Sequence, residues 1–146
     1  MSAGFGRRRT TEAIIVHHTV TSTGGDYIAI WRRISADHLA QGYGGIAYHI
    51  GINPDGTAFQ LADYDSWRAH IEGQNDRYFG LALLGDFTDL IPTADQLEAA
   101  RRSLLKLREK YGPIPVLGHK EAALLTSPTA CPGATWEVWK PLLDML

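Results

Sequence analysis

Tyr78-Phe79-Gly80-Leu81-Ala82-Leu83-Leu84-Gly85-Asp86 is a near-continuous apolar run closed by a glycine and an acid. A strand with one wet face alternates apolar and polar residues, so an unbroken run predicts a central strand covered on both faces. Glu12 to Thr19 reads the same way, because Ile14-Ile15-Val16 fill its middle with β-branched side chains. Elsewhere the period changes. From Asp26 to about Gln41, Tyr27, Ile30, Trp31, Ile34 and Leu39 recur at helical spacing, with Gly42 as a stop. Thr93 with Gln96 makes a capping box that opens a second helix to about Tyr111. Its inner stripe is Leu97, Ala100, Leu104 and Leu107, and Gly112-Pro113 ends it. Ala47 to Ile52 and Thr57 to Leu61 flank Asn53-Pro54-Asp55-Gly56 as a hairpin. Ile114 to Leu117 is a short strand, and a last helix from near Thr135 packs Trp136, Trp139, Leu142, Leu143 and Leu146. Strands alternating with helices predict an α/β fold, a mixed central β-sheet flanked by helices on both faces.

With 146 residues the chain falls in the one-domain range. The reading assigns 1–11 to a flexible N-terminal arm and 12–146 to a single domain. Arg7-Arg8-Arg9 is the only charge run and reads as part of a solvated tail. A formal net charge of −2 argues against a nucleic-acid partner. Nothing reaches membrane-spanning length, and residues 1–9 carry no apolar leader core, so a cytoplasmic protein without membrane insertion is expected. One cysteine forms no internal disulfide and fits a reducing compartment. No coiled coil is evident, so a monomer is expected.

Three residues carry the chemistry. His17 closes the first apolar strand, His119 follows Gly118, and Cys131 precedes Pro132-Gly133. Two imidazoles and one thiolate suit a single zinc ion and leave its fourth tetrahedral position open, as in a catalytic site. Pro128 interrupts the stretch between His119 and Cys131, so a folded-back loop must bring them together. Strand alternation sends His17 and His18 to opposite faces, and likewise Tyr48 and His49, so one of each pair faces the ion. Asp63 to Arg77 is polar and irregular, the kind of loop that carries binding groups, and it holds Trp67, His70 and Asn75.

Four stretches, Ile14 to Thr19, Ala47 to Thr57, Phe79 to Asp86 and Gly118-His119 through Cys131-Pro132-Gly133, together resemble the zinc-dependent N-acetylmuramoyl-L-alanine amidases. That family includes small phage endolysins and the animal peptidoglycan recognition proteins. The resemblance implies their fold, with His17, His119 and Cys131 as ligands of one Zn2+ and His18 and His49 as structural histidines. It implies a catalytic role for Tyr48 and places Thr129 at a second polar catalytic position, where phage members can carry Lys and the recognition-protein branch carries Thr. The duller alternative for Thr129 is that it shapes the Ser127-Pro128-Thr129 turn. It also implies that His70, Asn75 and Trp67 line a substrate groove; as a residue, His70 could equally be a third imidazole near the metal. Glu121 is not counted in the site, since acids near helix starts are common for dipole reasons. The implied activity is hydrolysis of the amide between the lactyl group of N-acetylmuramic acid and L-alanine in bacterial peptidoglycan, as a bacteriolytic phage-type endolysin released through a holin. Two other classes are a non-catalytic peptidoglycan-binding module and an intracellular regulator acting through a protein partner.

Overall fold

The computed structural model describes residues 6–123 and 127–143. Five strands form one sheet: β1 (Ala13–His18), β2 (Ile50–Ile52), β3 (Ala58–Gln60), β4 (Tyr78–Leu83) and β5 (Val116–Gly118). Their order is β3-β2-β4-β1-β5, antiparallel only between β2 and β3. Helices α1 (Tyr27–Ala40), α2 (Ala94–Tyr111), α3 (His119–Ala123) and α4 (Trp136–Leu143) complete the described chain.

Both long apolar runs are the central strands, paired in parallel from Ala13↔Tyr78 to His18↔Leu83. Side-chain alternation splits their residues between two cores. Ile14, Val16, Phe79, Leu81 and Leu83 pack with Leu104 and Leu107 of α2 and Trp136 and Trp139 of α4. Ala82 and Leu84 look the other way, toward Trp31 and Ile34 of α1. Helices thus cover both faces. At Gly51 a Cβ would stand 2.6 Å from the Trp31 ring, so the glycine lets α1 lie close to the sheet.

Several sequence expectations are revised. The first hairpin strand starts at Ile50 instead of Ala47, because the His49 carbonyl accepts from both Leu61 N and Ala62 N and the regular ladder stops there. Leu39 and Leu142 are exposed, lying off the buried stripes of their helices, and Leu146 lies outside the described residues. Thr93 caps α2 by accepting from Gln96 N at 3.0 Å. The Gln96 side chain does not reciprocate; it donates to the carbonyls of Ile52 and Leu84 where β2 and β4 end.

The arm drawn up to residue 11 is docked over its described part. Arg7 bridges to Ser66, and Arg8 is 8% exposed. The Arg8 guanidinium donates to the carbonyls of Tyr64 and Ser66 and to Thr11 Oγ1, and lies over the Phe79 and Tyr111 rings. A planar cation with several donors can be buried where carbonyls and aromatic faces receive it. Only its neighbours Arg7 and Arg9 keep the solvated character expected of the run, each paired to an aspartate at the surface.

Candidate active site

Parallel strands gather their carboxyl ends on one edge of the sheet, the usual place for a site in an open α/β fold. β1 ends there with His17-His18, and β5 runs directly into His119 at the start of α3. Cys131 returns to the same edge, where its sulfur accepts from His18 N at 3.4 Å and its carbonyl accepts from Lys120 N at 2.7 Å. These bonds hold Cys131 beside His18 and Lys120. One donor atom each from His17, His119 and Cys131 lies within 4.8 Å of the others. His17 Nδ1 is 3.7 Å from Cys131 Sγ.

The donor set fits zinc on two further counts. No hydrogen bond to the His119 ring is seen among the described residues, so its nitrogens are free for an ion. His17 Nε2 is bonded to His70 Nδ1 at 2.9 Å, so the opposite nitrogen faces the trio. Burial among other imidazoles lowers the His17 pKa well below 6.5, which keeps the ring neutral as a ligand must be. Burial pushes the Cys131 thiol up to about 12, against the opposing effects of the His18 N–H and the Lys120 ammonium.

Tyr48 lies over the trio, its ring centroid 5.1 Å from that of His17. Burial first, and the Cys131 sulfur second, raise its pKa and keep the phenol protonated. Its hydroxyl has no hydrogen-bond partner among the described residues, which leaves it free to donate to a ligand. Thr129 Oγ1 accepts from Cys131 N at 3.2 Å, so it does shape the turn, and no acceptor for its own hydrogen is seen among the described residues. Tyr48 and Thr129 line one cavity of about 510 Å³ with the three candidate ligands and His38. His38 carries no signal in the sequence; its Nδ1 accepts from Ala47 N at 3.0 Å and its ring meets Tyr48 edge-on.

The rings of His18 and His49 each accept from a backbone N–H. Phe87 N donates to His18 Nδ1, and Gly80 N donates to His49 Nδ1, whose ring stacks on Phe79. Glu121 is likewise engaged, binding Gly118 N, the Trp136 indole and Lys140 and so tying the His119 loop to α4. The three groove candidates Trp67, His70 and Asn75 all border one adjoining cavity of about 520 Å³. Asn75 is buried and its Oδ1 accepts from His70 N and Ile71 N. His70 is 5% exposed, with both ring nitrogens engaged, by His17 and by the Tyr78 carbonyl. It therefore offers a ligand no free polar atom.

A family model described as N-acetylmuramoyl-L-alanine amidase matches residues 7–134. The chain belongs to this amidase family. The amidase chain is 30% identical over 140 residues to the endolysin of Escherichia phage T7, covering 92% of this chain and 89% of that one. It is also 30% identical over 142 residues to a peptidoglycan-recognition protein of Drosophila melanogaster, covering 88% of this chain and 75% of that one. Among solved structures it superposes on the endolysin amidase LysCS from Clostridium intestinale with a TM-score of 0.82 at 27% identity, covering 98% of this chain and 90% of that one. No helix among the described residues is long and apolar enough to cross a membrane.

Proposed function

We propose that this chain is a zinc-dependent N-acetylmuramoyl-L-alanine amidase of endolysin type, cleaving peptidoglycan between the N-acetylmuramic acid lactyl group and L-alanine. The observation that carries the reading is the meeting of His17, His119 and Cys131 within 4.8 Å under a Tyr48 hydroxyl that no described residue holds. A bound zinc ion supplies Lewis-acid polarisation and a water that ionises near neutral pH. His17, His119 and Cys131 hold that ion. Tyr48 donates its phenolic hydrogen to the scissile carbonyl oxygen as negative charge develops there, and its raised pKa keeps that hydrogen in place. Thr129 adds a neutral donor from the wall of the same cavity. A hydroxyl brings no positive charge, so Tyr48 carries the larger share.

The cavity beside Trp67 shares Tyr43, Ala69, His70 and His119 with the first, and we take it to receive the stem peptide. We take the protein to act as a monomer that reaches the wall through a holin-type lesion, in keeping with the phage endolysins among its relatives. The test is digestion of purified peptidoglycan by the zinc-loaded protein, with released fragments read by mass. Free stem peptides beginning with L-alanine, lost in Cys131→Ser, support the reading. A wild type that binds the wall and releases nothing overturns it in favour of a recognition module.

A further inference from the structure

We propose that His70 is a positioning residue that fixes the proton of His17 on Nε2, leaving Nδ1 bare toward His119 and Cys131. Its importance for metal binding rests on the zinc reading above; the proton arrangement itself does not.

The arrangement follows from a chain of hydrogen bonds with one fixed end. His70 Nε2 lies 2.9 Å from the Tyr78 carbonyl, which has lone pairs only, so Nε2 must carry a hydrogen. A neutral ring has just one such hydrogen, and His70 Nδ1 is therefore an acceptor. At 2.9 Å from it stands His17 Nε2, which must donate. His17 Nδ1 then carries a lone pair, 3.7 Å from Cys131 Sγ. A doubly protonated His70 would reverse the sense and put the hydrogen on His17 Nδ1, where a metal could not bind. That form would be a buried cation facing His17, His49, His119 and Arg8, with no carboxylate against its ring among the described residues.

The loop carrying His70 has no regular structure, yet three devices hold the ring. Asn75 Oδ1 accepts from the backbone N–H groups of His70 and Ile71 at 2.9 and 2.7 Å. The Tyr78 carbonyl orients the far nitrogen. Gly80 provides the floor: a Cβ there would lie 2.9 Å from His70 Cγ and displace the ring. All three converge on the ring that bonds His17. Partners of this kind set ligand orientation and typically matter by roughly 10–100-fold in metal affinity.

The experiment combines a spectrum of the metal-free protein with zinc affinities of two variants. In wild type labelled with 15N at histidine, the His17 hydrogen is expected on Nε2, with a coupling through the hydrogen bond to His70 Nδ1. His70→Asn keeps an acceptor near the Nδ1 position; His70→Leu fills the space without one. Competition against a chelator should show zinc binding weakened about 10–100-fold in the Leu variant and much less in the Asn variant. A packing role predicts the reverse order, because leucine suits an apolar pocket and asparagine does not. A hydrogen on His17 Nδ1, or an Asn variant as weak as the Leu variant, overturns the proposal. Should neither variant fold, the wild-type coupling decides it. A wild type with the expected protons that binds no zinc removes the metal reading and leaves the His70–His17 arrangement standing.

Discussion

The Tyr48 hydroxyl can be deleted without disturbing the protein around it, since it bonds to no described residue. Tyr48→Phe is expected to lower kcat by about 10²–10³, the scale of losing one donor to a developing oxyanion. Its zinc content by metal analysis should match wild type; a fall in both together would make Tyr48 a structural residue. Cys131 behaves differently. Burial holds its thiol up to about 12 in the metal-free protein, so a ligating thiolate appears only as the ion arrives and displaces a proton. Zinc affinity should therefore climb between about pH 6 and pH 8, with proton release detectable on mixing in weak buffer. A flat profile would remove Cys131 from the coordination. Residue types make this trio visible in the sequence, because two imidazoles and a thiolate have few joint uses. The bonds that His70 and Asn75 make are not legible there, because their partners are backbone atoms and a histidine 53 positions away, none of which leaves a signature in local composition.

At the scale of elements, α2 shows how one side chain joins three pieces. The Gln96 amide nitrogen closes the carbonyls of Ile52 and Leu84 in a site that is 1% exposed. Gln96→Leu leaves the Leu84 carbonyl buried without a donor, while that of Ile52 keeps Leu84 N at 2.9 Å, and should cost about 1–3 kcal/mol. The denaturant midpoint would show it, with zinc stoichiometry unchanged; a midpoint equal to wild type would mean that the Leu84 carbonyl finds another donor. The long elements β1, β4, α1 and α2 are legible because several turns or a full strand's length of apolar pattern stands behind each. The short ones are not. β2 loses its expected first residues to the doubled bond at the His49 carbonyl, and α3 is too brief for any periodicity to emerge.

For the whole molecule, acidity is the relevant stress. His17, His49 and His70 are each no more than 5% exposed, and burial depresses all three pKa values, that of His70 to about 3. Unfolding returns them to about 6.5, so below that pH the unfolded chain binds more protons and folding loses ground. Stability is full above about 6.5 and falls as pH drops toward the folded-state values, by about 1.4 kcal/mol per pH unit for each such group. Thermal unfolding in chelator should show the midpoint descending from neutral pH toward about pH 4. A constant midpoint would mean that these rings are charged in the folded protein. The α/β layering is readable from the alternation of periods, whereas the docking of Arg8 is not, since a run of three arginines looks the same in solvent or under a tyrosine. The closing of the metal trio has a polymer consequence too. His17 and Cys131 stand 114 positions apart, so an ion shared between them turns most of the chain into a single ring. Threading that ring back from the denatured state is already done while the ion stays, an entropic gain on the order of 4–5 kcal/mol for a permanent link of such length. Zinc would thus act as a reversible clasp, and a chelator would cut a loop as well as empty a site.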